Sequence, residues 1–320
     1  MHRLNRRHTP QQGQFDFVTV PELPDVPGAI APSEERYLYW LVRETYLGEG
    51  AVVEVGSWLG RSSLRLAAGL RDAGSGGTLY CFDRFRWYRP VPGYPEMRPG
   101  ADTSGLVREA VSAVHADVVI CKTEIKDLRW RHGPVEILFL DAPKAHGTFL
   151  RCLQEFGPRL TPGVSFIASQ DFAFPSAFAQ VLCLGRLGAE LEMVHATGNL
   201  AGFAVRKKLP AGRKLRRLLD LRAFGAEESL RIWQASLDRL ESETARTAMR
   251  PGICMHLYAM GMRGQACEMI REMEFTKPML KVWDNWARRK EMVRDYSGLF
   301  AALGLPRFAS REDRGEGNEC

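Results

Sequence analysis

The chain has 320 residues, 45% of them hydrophobic, and a formal net charge of +6, enough apolar content for one large core or for a core and a smaller domain. No run approaches the roughly 18 apolar residues needed to span a bilayer, and the basic, polar start from Met1 to Gln12 lacks the apolar segment of a secretion signal. The modest charge permits acidic partners without demanding them, and seven cysteines with no CxxC pair, several inside apolar runs, suggest reduced, buried thiols in a cytoplasm rather than a metal cluster.

In chain order, residues 1–48 combine a proline-punctuated lead-in (Pro21, Pro24, Pro27, Pro32) with one covering helix, for which Ser33 is the expected N-cap and Glu34 and Glu35 the first turn. Residues 49–208 alternate short apolar strands, read at 51–56, 78–83, 117–122, 135–141, 164–169, 191–196 and 201–207, with helical patterns between the first five. That alternation predicts a doubly wound, mainly parallel seven-stranded α/β sheet. Over 209–308 the strand pattern stops. Leu230, Trp233, Leu237 and Leu240 recur at helical spacing, and further helical patterns lie around 254–273 and 279–303, which predicts a C-terminal all-helical region. Its apolar stripe suggests a lid or a homo-oligomer contact, and residues 309–320 read as a disordered tail.

One stretch concentrates the chemistry. In "VVEVGSWLGRSS", residues 52–63, an apolar strand ends in an acid and passes through a glycine turn into a helix. Such a junction gathers the N–H groups of a helix start and a main chain bared by glycine at one point above the sheet edge. Acids then fall at successive strand ends: Glu54 at the first, Asp83 at the second, Glu124 after the third and Asp141 at the fourth. Ligands of open α/β sheets sit beyond those ends, and a carboxylate closing the second strand offers two oxygens to the cis-diol of a ribose, the role expected of Asp83. Neither G-x-G-x-x-G nor a G-K-S/T phosphate loop is present.

The spacing E-x-G-x-x-x-G followed by a second-strand acid resembles the class I S-adenosylmethionine-dependent methyltransferases, with "LYCFD" similar to their ribose-binding strand and "EILFLDAPKAHGTFLRCLQEFGPRLTPG" to their fourth strand, following helix and turn. The turn and "FLDAPKAH" are closest to the small-molecule O-methyltransferase branch, macrocin-type and cephalosporin-hydroxylase-like. The resemblance spans residues 49–208 and implies a Rossmann-like fold that binds S-adenosylmethionine and methylates a hydroxyl of a small molecule or sugar. It further implies that Glu54 faces the amino-acid end of the cofactor, that Gly56, Ser57 and Gly60 give it backbone room, that Ser62 bonds its carboxylate, and that Thr123 or Glu124 neighbours the adenine. Relatives that use Mg²⁺ hold it with a strand-four acid and two acid or amide residues at strand five. Here Asp141 is present and strand five ends Ser169-Gln170-Asp171, so Asp141 and Asp171 are the candidate metal ligands, one position short of a full set. Asp141, Lys144 and His146 are the candidate catalytic groups. A binding or scaffold protein, or a hydroxylase-like relative on the same fold, is the alternative.

Two segments fall outside those motifs. Residues 84–100, rich in arginine, aromatics and proline, suggest a loop over the site in which Arg84, Arg86 and Arg89 could recognise an anionic acceptor. The run 206–222 carries eight positive charges and one negative, but it lacks interleaved aromatics and a nucleic-acid module, and it reads as the solvated start of the helical region.

Overall fold

The computed structural model describes residues 15–87, 98–174 and 177–271. The basic start, Arg89 with the middle of the 84–100 loop, the helix expected at 279–303 and the tail lie outside the described residues. Helix α1 (Pro32–Thr45) begins one residue before the expected cap: Ala31 holds that position and Pro32 opens the helix. The reason is local, because the Glu34 carboxylate accepts the Ala31 N–H at 2.8 Å and so satisfies a helix-start donor from inside the first turn.

The sheet follows the predicted runs. Its strands are β1 (Ala51–Val55), β2 (Leu79–Asp83), β3 (Val118–Lys122), β4 (Val135–Leu140), β5 (Phe166–Ser169), β6 (Leu191–Thr197) and β7 (Leu200–Val205), in the order β3-β2-β1-β4-β5-β7-β6. Only β7 runs antiparallel to its neighbours. Helices α2 (Arg61–Ala73), α3 (Ser104–Ser112), α4 (His146–Phe156) and α5 (Phe178–Arg186) connect strands. One expectation fails: β3 and β4 are joined by a 3-10 turn at Ile125–Asp127 and an irregular segment instead of a helix. That connection is short and ends in Gly133-Pro134, and the side chains it has to bury, Leu128 and Trp130, join the core without a helix. On β4, buried Glu136 accepts the N–H groups of Leu47, Glu49 (2.7 Å) and Gly50 (3.1 Å), fixing the loop from α1 into β1.

Beyond β7 come α6 (Gly212–Leu218), α7 (Ala226–Leu237), α8 (Glu243–Met249), α9 (Pro251–Ala259) and α10 (Arg263–Arg271). The pattern expected as one helix over 254–273 is thus broken into two. Trp233, Leu237, Leu240, Cys254 and Leu257 share one continuous core with β4, β5 and α5, so these members of the apolar stripe are covered within the chain. Ile232 of α7 lies so close to α5 that a Cβ on Gly185 would stand 2.3 Å from it. The basic run resolves as expected: Leu215 and Leu219 are buried while Arg213, Lys214, Arg216 and Arg217 face solvent.

Candidate active site

The strand order reverses between β1 and β4, and the expected acids gather at that crevice. Glu54 is fully buried and accepts hydrogen bonds from three hydroxyls: Ser57 at 2.8 Å, Ser62 and Ser63. Burial pushes its pKa up, and the three donors pull the other way. Glu54 therefore acts inside the protein, locking the glycine turn to the first turn of α2, and Ser62, expected on the cofactor carboxylate, donates to Glu54 instead. The turn itself needs its glycines. Gly56 has φ +111° and Gly60 φ +92°, and a Cβ on Gly56 would stand 2.5 Å from the Ala142 nitrogen. The room that Gly56 provides thus lets the end of β4 press against the end of β1.

Asp83 closes β2 and is half-buried. Its Oδ1 accepts the Phe85 N–H at 2.7 Å and its Oδ2 the Trp58 N–H at 3.1 Å. Each oxygen retains a lone pair, so the carboxylate is oriented without being saturated. Both donors stand in left-handed conformations, Trp58 at φ +45° and Phe85 at φ +50°, which a non-glycine residue adopts at a cost of about 1–2 kcal/mol. The Trp58 ring packs on Trp87 at a tilt of 31°, ring centroids 4.9 Å apart. Thr123 donates its backbone N–H to the Asp83 carbonyl at 2.8 Å, and exposed Glu124 caps the turn that follows. Arg86 pairs with Asp102 in an antiparallel bridge that closes the base of the 84–100 loop.

On the other side of the crevice Leu140 pairs with Ser169, which brings Asp141 and Asp171 to neighbouring strand ends. Lys144 lies on both: its Nζ is 2.9 Å from Asp141 Oδ1 and also contacts Asp171 Oδ2. About a quarter of each acid side chain and 41% of the lysine side chain are exposed. Burial opposes the charge on Lys144, yet the two carboxylates outweigh it and hold its pKa above the ordinary lysine value. Burial raises Asp141, with Lys144 acting against it. Asp171 is the third non-glycine residue at positive φ, +59°. His146 opens α4, and its Nε2 bonds the Leu219 carbonyl at 2.8 Å, tying that helix to the end of α6.

The donor set does not fit the expected Mg²⁺. An ammonium already lies on Asp141 and Asp171, the Gln170 amide nitrogen donates to Glu34 at 3.1 Å, and Ser169 donates to Gln180 at 2.8 Å. Among the described residues no three histidine, cysteine or acidic side chains are grouped to hold a metal. A cavity of about 260 Å³ between α5, β6 and α7, lined by Phe172, Met193, Phe203 and Ile232, includes none of the site acids.

With this geometry in place, the family described as "Methyltransferase domain" matches residues 53–169, from the end of β1 to the end of β5. That segment, about a third of the chain, is similar to a methyltransferase domain. No curated protein matches the chain. Solved structures similar to this chain include an S-adenosylmethionine-dependent O-methyltransferase of Thermotoga maritima, 13% identical over 58% of this chain and 69% of that one, TM-score 0.38. A methyltransferase of Podospora anserina bound to S-adenosylhomocysteine is 14% identical over 56% and 80%, TM-score 0.39, and an rRNA methylase of Streptococcus thermophilus is 14% identical over 54% and 96%, TM-score 0.38. Likenesses of this degree carry no argument about the acceptor.

Three features of the site were not read from the sequence. Ser63 completes the Glu54 cluster, and its signal was present in the run of hydroxyls after the turn. The Trp58 N–H holds Asp83, a backbone contact that the residue type does not signal. Glu34 reaches from α1 to Gln170 and to the Asn199 N–H at 2.7 Å, a contact for which the chain order gives no sign.

Proposed function

We propose that the protein is an S-adenosylmethionine-dependent methyltransferase acting on a hydroxyl of a small molecule or sugar. The observation that carries this is Asp83: a carboxylate at the end of the second strand, aimed by two backbone N–H groups and left with a lone pair on each oxygen for a diol. Bound there, the cofactor supplies a methyl group on a sulfonium, an electrophile that needs no further activation. The residues of the chain then bind, orient and move one proton. Asp83 accepts the ribose hydroxyls, the turn from Gly56 to Gly60 lines the approach, and Thr123 and Glu124 border the adenine side. Asp141 would take the proton released by the acceptor hydroxyl as that oxygen accepts the methyl group. Lys144 stays protonated between Asp141 and Asp171 and serves as an orienting cation. His146, engaged with Leu219, is a tether. The sheet domain at 49–208 carries the site, and the helices from 209 onward support α5 behind it.

Calorimetry of the whole chain with S-adenosylmethionine, S-adenosylhomocysteine and NAD tests the reading. The two sulfur compounds should bind and NAD should not. NAD binding in their place would overturn it, and cofactor binding with no methyl transfer across a broad panel of hydroxyl acceptors would favour a scaffold that kept the fold.

A further inference from the structure

The place for which the strand ends suggested a divalent ion holds a side chain of the protein. Asp141 and Asp171 face each other from adjacent parallel strands, and the left-handed conformation of Asp171 is held by its own turn, where its carbonyl accepts the Phe174 N–H at 2.8 Å. A lysine ammonium has three N–H donors. Two are taken by the carboxylates, and with 41% of the side chain exposed the third can reach a ligand in the crevice. A divalent ion on the same oxygens would meet this ammonium at close range, and magnesium requires near-octahedral oxygen ligation, which two carboxylates already paired with a lysine do not provide.

We infer that Lys144 is the resident cation of the site: its ammonium stands in place of a divalent metal and presents one N–H to one acceptor oxygen. The part concerning the acceptor rests on the methyltransferase reading. It follows that transfer is metal-independent, and that the preferred acceptor offers a single oxygen, a lone hydroxyl, instead of the two vicinal oxygens that a metal would chelate. The two carboxylates with one ammonium leave the cluster with one net negative charge, so removing the lysine should turn it into a cation site.

The test is manganese binding by the whole chain, followed by electron paramagnetic resonance without cofactor. Wild type should leave Mn²⁺ free at millimolar concentration, whereas Lys144→Ala should bind it at least about tenfold more tightly, because the like charge is gone and two carboxylates remain. The double variant Lys144→Ala/Asp171→Asn should lose that gain. If Lys144→Ala does not fold, Lys144→Met keeps the aliphatic stem and is read in its place. Wild-type binding of Mn²⁺ at micromolar concentration, or no gain in the folded variant, overturns the inference. In turnover, EDTA should leave the wild-type rate unchanged and single hydroxyls should be methylated at least as fast as vicinal diols; a rate abolished by EDTA and restored by Mg²⁺ overturns it as well. Failure of the methyltransferase reading shows separately, as absent cofactor binding in calorimetry, and leaves the manganese result interpretable.

Discussion

At the ends of β1 and β2 the carboxylates are engaged by neutral donors, Glu54 by three serine hydroxyls and Asp83 by two backbone N–H groups. At the ends of β4 and β5, Asp141 and Asp171 are engaged by one ammonium. The β1 end is dry: Glu54, Ser57 and Ser63 are at most 1% exposed. The ends of β4 and β5 are open to water. Hydrogen bonds within a packed interior fix geometry, because every alternative leaves a polar group unsatisfied. Ion pairs at a partly solvated edge can exchange partners at low cost. The contrast suits a division of labour in which one half is preformed for the cofactor and the other adjusts to the acceptor as a proton moves.

The largest expected effect breaks the dry half. Glu54→Ala removes the acceptor of three buried hydroxyls and should lower stability by about 3–5 kcal/mol, whereas Glu54→Gln, which keeps an acceptor oxygen, should cost about 1 kcal/mol. Urea titrations of both variants measure this, and equal midpoints for the two would mean that the serines are satisfied some other way.

Much of this half was legible in advance. Apolar runs placed all the strands, acids marked the ends of the first, second and fourth, and the glycine turn placed the crevice. The contacts of each acid were less legible, because burial decides them: a strand-end carboxylate reads the same whether it faces a ligand, as Asp83 can, or three serines, as Glu54 does. The Lys144 bridge was beyond reach for a different reason. Lys144 and Asp141 are close in sequence, but the third member, Asp171, arrives from the neighbouring strand at a backbone angle that only glycine would signal. The missing helix between β3 and β4 shows the same limit, since Trp130 packs against Phe156 of α4 from an irregular segment.

A buried polar group without donors should behave unlike Glu54, and His195 supplies that contrast. Its ring is 1% exposed, stacks on Tyr37 at 4.7 Å, and has neither nitrogen hydrogen-bonded. Burial pushes its pKa down to about 4. An unfolded histidine titrates near 6.5, so as pH falls below that value the unfolded chain takes up a proton that the folded chain refuses until about pH 4. Stability should therefore drop across that window by up to about 3 kcal/mol from this residue. His256, also pushed down to about 4 by burial, adds a loss of the same sign. The stability difference between His195→Phe and wild type should shift in favour of the variant as the pH is lowered from 7 to 4.5, and a difference that stays constant would remove His195 as the cause.

A third measurement returns to the cofactor side. Asp83→Ala should weaken S-adenosylhomocysteine binding by about 10- to 100-fold, the range for lost hydrogen bonds to a charged group. Asp83→Asn keeps an acceptor for one of the two backbone donors and should fall between the two. An affinity unchanged in both variants would move the ribose elsewhere along the sheet edge.

The smallest effect is the one that separates chemistry from scaffolding on the acceptor side. A general base contributes about 10²–10⁴-fold to the rate, whereas one hydrogen bond tying two helices contributes about 0.5–1.5 kcal/mol to stability. The His146 Nε2 donates to the Leu219 carbonyl at 2.8 Å, so this nitrogen keeps its proton for the bond and cannot also receive one from an acceptor. His146→Ala should accordingly lower the urea midpoint slightly and leave kcat within a few-fold of wild type. His146→Asn, with an amide donor on a shorter side chain, should recover part of the stability and change the rate no further. A hundredfold loss of kcat with unchanged stability would instead make His146 the base, with Nδ1 as the working atom and the Leu219 bond as the contact that fixes its tautomer.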